Sequence, residues 1–157
     1  MDKKEYQQKT IDSLVRHEEA IAELYNSYSD KFLGFRDFWL GIVADEKSHA
    51  SWIRTLYKKT EGGLADFSQN RFPLDAIEDS KKFLEQKKIE SSKGEISLVY
   101  ALETAANIEQ GMLEKKFFEI FKDDALELQI ILEALRLGTQ QHFEHIKKAW
   151  EKEKNGL

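Results

Sequence analysis

Residues 45–52 read DEKSHASW, with Glu46 one helical turn before His49. The surrounding segment is otherwise apolar at helical spacing. Phe35, Trp39, Ile42, Glu46, His49, Ile53 and Leu56 advance in alternating steps of four and three, the period of one face of an α-helix. A carboxylate and an imidazole therefore stand inside a stripe that packing should bury. Residues three apart on a helix point the same way, so the pair offers two metal-ligating groups in one direction. Glu is abundant in this chain, and an isolated Glu-x-x-His is as readily part of a solvated face. Its meaning depends on partners elsewhere.

The same steps recur near the C-terminus as Leu128, Leu132, Leu135, Thr139, His142, Ile146 and Ala149. His142 then corresponds to His49, and Thr139 to Glu46. Earlier in the chain, the inward stripe Leu14, Glu18, Ile21, Tyr25 also contains a carboxylate. In YALETAANIEQGMLEKKFF, Glu109 falls between Ala105 or Ala106 and Met112 or Leu113 on the apolar side. The match of this segment to the first fails beyond that point, where Lys116 falls opposite Tyr25.

With 157 residues, 41% hydrophobic and 34% charged, the chain is sized for one domain spanning residues 1–157 around one core. A net charge of -5 and no basic patch argue against nucleic-acid binding. The absence of Cys removes disulfides, thiolate metal sites, iron-sulfur clusters and thiol nucleophiles. Any metal must be held by His and carboxylate. MDKKEYQQKT lacks the apolar core of a signal peptide, and no apolar run reaches membrane-spanning length, so a cytoplasmic protein without membrane partners is expected.

A single Pro and few Gly within periodic segments point to helices throughout. The spacing predicts helices over about 4–32 (ending at Gly34), 35–60 (stopped by EGG) and 95–121, and one from the acidic KDDA to about 154. Between the second and third lies a long connection, with a shorter helix from near Pro73 to Gly94. The expected fold is an all-α, ferritin-like four-helix bundle with a long crossover containing a short helix between helices 2 and 3.

Carboxylates from three helices facing one core need compensation, since a buried charge without a partner costs several kcal/mol or is neutralised. A shared cation supplies it; hydrogen-bonded Glu-His and Glu-Thr pairs in a metal-free core are the other solution. Oxygen and imidazole donors without thiolate suit iron or manganese, with zinc as a lesser choice.

HEEAIAELY with Glu18, the DEKSHASW pair, ANIEQGMLEKKFF with Glu109 and TQQHFEHI with His142 together resemble the rubrerythrin branch of the ferritin-like di-iron carboxylate proteins. The resemblance spans about residues 17–150. It implies a metal site in which Glu18 and Glu109 are flanking carboxylates, Glu46 a bridging carboxylate, and His49 and His142 terminal ligands. Two departures stand out. The Cys-rich rubredoxin segment of rubrerythrins is absent, so redox turnover requires an external electron-donor protein. Thr139 occupies the position of the second bridging Glu, which leaves three carboxylates for two divalent ions. On this reading the Glu18, Glu46 and His49 side is the better-equipped half.

Nearby residues differ in how well they could substitute. Glu144 lies about 200° around the helix from His142 and faces away. His145, one turn after His142, is either an added ligand or a boundary residue. Glu103 either swings inward or faces solvent. His17 reads as a surface residue, and Tyr25 and Tyr28 as core. The resemblance implies iron handling, or reduction of peroxide or dioxygen with electrons from a partner. The alternative is a bundle whose site has decayed through Thr139 and which acts as a structural or interaction module. The aromatic surplus in FLGFRDFW suggests a homodimer.

Overall fold

The computed structural model describes residues 3–61, 74–114 and 126–156. Those residues form helices α1 (Lys3–Lys31), α2 (Arg36–Glu61), α3 (Leu74–Lys93), α4 (Leu98–Glu114) and α5 (Leu126–Lys154). No strand occurs among them, so the chain is all-α there.

The inward stripes read from the spacing are the buried ones. Leu14, Ile21, Tyr25 and Tyr28 of α1, Trp39, Ile42 and Ile53 of α2, and Leu135 and Ile146 of α5 are all buried. Leu56, Met112, Leu113, Leu128 and Leu132, together with the KDDA segment and Lys116, lie outside the described side chains. α1 packs along α2 and α3, α4 packs along α5, and α2 meets α5. An aromatic cluster joins α1 to α2. Tyr25 and Tyr28 lie 5.4 and 5.0 Å from Trp39, ring centre to ring centre.

The boundary between α1 and α2 is a single 3-10 turn at Leu33–Phe35. Phe32, Phe35 and Phe38 pack partly against the core, whereas Leu33 is 70% exposed. Gly34 sits in this turn with ordinary backbone angles, the only left-handed glycine among the described residues being Gly156.

The connection between α2 and α4 contains the helix expected from near Pro73 to Gly94, which runs over Leu74–Lys93. α3 is 20 residues long. Its seam consists of Ile77, Leu84 and Ser91, all buried and spaced seven apart, and it lies along α1. Ile77 and Leu84 give one apolar position in two turns, a weak periodic signal, so Pro73 and Gly94 rather than the period mark the bounds of this helix. Lys31 of α1 donates to the carbonyls of Ser91 (3.0 Å) and Gly94 (2.6 Å), satisfying acceptors at the C-terminal end of α3. α4 begins three residues later than the spacing suggested, because the Ser97 hydroxyl accepts from the Tyr100 amide (3.0 Å) and caps it. No described helix is long and apolar enough to cross a membrane.

Candidate metal centre

Glu18 on α1, Glu46 and His49 on α2, Glu109 on α4, and Thr139 and His142 on α5 are all buried. Their side chains meet where those four helices come together. The Glu46 carboxylate is at the middle. Its Oε2 lies 3.5 Å from His49 Nδ1, and its Oε1 lies 3.0 Å from His142 Nδ1. Beyond the imidazoles stand the other two carboxylates. Glu18 Oε2 is 3.8 Å from His49 Nδ1, and Glu109 Oε1 is 3.9 Å from His142 Nδ1. The two rings lie 5.5 Å apart, tilted by 29°.

Two sets of three donors result, each with ligand atoms within 4.8 Å of one another: Glu18, Glu46 and His49, and Glu46, Glu109 and His142. Each contains a terminal carboxylate, an imidazole and one oxygen of Glu46. The halves are therefore equal in ligand count, contrary to the expectation that the Glu18 half is better equipped. A bridging carboxylate missing at Thr139 subtracts from both halves alike.

The surroundings of the halves are not equal. His142 Nε2 donates to Asp45 Oδ2 at 3.0 Å, which leaves Nδ1 as the nitrogen facing Glu46 and Glu109, protonated toward Glu46 without a cation and free to ligate one when deprotonated. The Tyr25 hydroxyl donates to Glu109 Oε1 at 3.0 Å. Around His49, by contrast, the α5 backbone comes close. A Cβ on Gly138 would fall 2.8 Å from His49 Nε2, so any larger residue there would push the ring aside. Among the described residues no hydrogen-bond partner stands at His49 Nε2.

Asp45 is a site residue that the spacing does not reveal. The offset relating His49 to His142 and Glu46 to Thr139 pairs Asp45 with Gly138, so the repeat itself carries no signal for it. An acidic residue just before the Glu-x-x-His is placed one helix over from the opposite imidazole, a relation that spacing along one helix does not disclose.

Burial, reinforced by the Glu46 charge, holds the carboxyls of Glu18 and Glu109 well above the usual carboxylate range. Burial acts the same way on Glu46, but hydrogen bonding with Glu18, His142 and His49 outweighs it and pulls that carboxyl well below the range. Burial disfavours the His49 imidazolium, yet Glu18 and Glu46 push its pKa up to about 10. His142 is raised for a similar reason, through Glu46 and Asp45. The Tyr25 phenol is raised by burial and by the adjacent Glu109 carboxylate. Without a cation, protons hold the cluster together.

The donor set fits a divalent metal by its chemistry and by its unmet valences. Glu18 Oε2 and Glu109 Oε2 are buried without hydrogen-bond partners, which is costly unless a cation or proton serves them. Oxygen and imidazole donors suit iron, manganese or zinc.

His145, Glu103, Glu144 and His17 stay out of the cluster. His145 is exposed and stacks on Phe38 at 4.9 Å. Glu103 is exposed, and Glu144 faces outward, accepting from Gln140 at 3.3 Å. His17 is not the surface residue its spacing implied. It is 2% exposed, with Nε2 2.8 Å from Ser80 Oγ, because α3 covers that face of α1. Thr139 donates to the Leu135 carbonyl at 3.0 Å, as a short hydroxyl in a helix does. Comparison with protein-family models, curated proteins and solved structures found no match.

Proposed function

We propose that this chain is a rubrerythrin-like metal protein that binds iron between α1, α2, α4 and α5, arranged as a ferritin-like four-helix bundle with α3 in the crossover. One observation carries the reading: Glu46 presents its two oxygens to two separate Glu-His pairs, the disposition of a carboxylate shared by two cations. Glu18 and Glu109 are the terminal carboxylates, and His49 and His142 the terminal imidazoles.

An iron pair bound there supplies one-electron redox steps and open positions for an oxygen species. The protein's part is to hold the donors. Asp45 orients His142, Tyr25 orients Glu109, and the buried aromatic wall of Tyr25, Tyr28 and Trp39 keeps bulk water from that side. Reduction of peroxide to two waters consumes two electrons and two protons. A chain without Cys takes those electrons from a separate donor protein. Storage or transfer of iron uses the same ligands without turnover. A homodimer associating through the exposed Leu33 turn belongs to this reading, and sedimentation checks it.

A second reading is favoured by Thr139: the cluster is a proton-satisfied polar core in an interaction module. Metal analysis of protein purified without oxygen separates the two. Near-stoichiometric iron supports the first. Metal-free protein that takes up no added iron(II) overturns it.

A further inference from the structure

The geometry points to two inequivalent metal positions, of which the Glu46–Glu109–His142 position fills first; this inference rests on the metal-centre reading above. The donor counts do not distinguish the halves, since each has three residues and shares Glu46. What differs is the layer behind the donors. On one side Asp45 accepts from His142 Nε2 at 3.0 Å, and Tyr25 donates to Glu109 Oε1 at 3.0 Å. Both ligands are thereby held in one orientation before a cation arrives, and the acidic partner makes the imidazole a better donor.

On the other side the equivalent of Asp45 is Gly138. It supplies no acceptor to His49 Nε2, and its missing side chain lets the ring lie against the α5 backbone. Gly138 and Thr139 are adjacent, so a single step of α5 lacks the two acidic groups that α2 carries as Asp45 and Glu46. The absence at Thr139 is common to both positions, whereas the absence at Gly138 falls on His49 alone. Partners of this kind change metal affinity by about 10 to 100-fold. Loading is then stepwise, and at limiting metal the protein holds one ion on the α4 and α5 side.

Titration of the metal-free protein with cobalt(II) without oxygen, followed by visible absorption and calorimetry, resolves the steps. Wild type is expected to bind in two steps separated by about 10-fold or more. His49→Ala retains the tight step and loses the weak one; His142→Ala does the opposite. Asp45→Ala is the discriminating variant, because the Asp45 side chain is 62% exposed and its truncation leaves the core untouched. It weakens the tight step by about 10-fold or more and leaves the weak one in place. Two steps of equal affinity, an Asp45→Ala protein with an unaltered tight step, or a tight step that survives His142→Ala would each overturn the inference while leaving the metal centre standing. Absence of cobalt binding in wild type removes the metal centre itself, and this inference with it.

Discussion

Thr139 is the residue at which the metal centre and the polar core make opposite predictions. Its hydroxyl is committed to the Leu135 carbonyl and its side chain is buried against the cluster, so it contributes neither charge nor a bridging oxygen. Thr139→Glu places a fourth carboxylate beside three. Without metal this variant should be less stable than wild type by a few kcal/mol, because the added group is desolvated among like charges. With iron it should bind more metal, and its melting temperature should depend on iron far more than that of wild type. Anaerobic reconstitution followed by metal analysis and calorimetry checks both. A variant that gains no metal and melts independently of iron would show that position 139 does not address a metal site. Two other residues show how far local spacing reaches. Glu18 and Glu109 were legible because each interrupts an apolar stripe on its own helix. His17 was misread because the surface that buries it belongs to α3, more than sixty residues away.

Among the elements, α3 is the one least visible in the pattern and the one that supplies no residue to the cluster. Its attachment rests on Ile77 and Leu84, both fully covered, on the Lys31 contacts with Ser91 and Gly94, and on the His17–Ser80 hydrogen bond. Removing a buried Leu side chain costs about 2–5 kcal/mol, depending on how far the site collapses. Leu84→Ala should therefore lower stability by that order in denaturant unfolding. Metal stoichiometry measured in native buffer should remain that of wild type, since every donor lies on α1, α2, α4 or α5. A loss of metal from this variant would mean that α3 holds α1 in the orientation the Glu18 carboxylate requires. The long amphipathic helices were readable because each shows an apolar position at nearly every turn, whereas a seam with one position in seven does not.

For the whole molecule, the cluster sets how stability follows pH. His49 has a folded pKa of about 10, raised from the ordinary imidazole value. Its contribution is fully present below about pH 6.5 and is lost as pH rises toward 10. Glu18 and Glu109 are raised as well, so their contribution also declines as pH rises above the ordinary carboxylate range. Glu46 is depressed; its contribution is present above that range and lost on acidification. Metal-free protein should thus be most stable at about pH 5–6 and lose a few kcal/mol by about pH 9. Metal reverses the slope, because binding requires the same groups deprotonated and its affinity rises with pH. Urea unfolding at three pH values, with and without saturating zinc, reads the two slopes. Parallel slopes would mean that the cation does not replace these protons.

The residues themselves determined that the chain is helical, which faces are apolar, and that Glu18, Glu46, His49, Glu109 and His142 interrupt those faces. These are properties of period, and period is carried by neighbours along one helix. Tertiary structure alone decided that Glu46 divides its oxygens between two imidazoles, that Asp45 stands behind His142, and that α5 approaches His49 closely at Gly138. Each of these is a distance between helices, set by how side chains interlock across the core. Such distances have no signature in the spacing of any one segment.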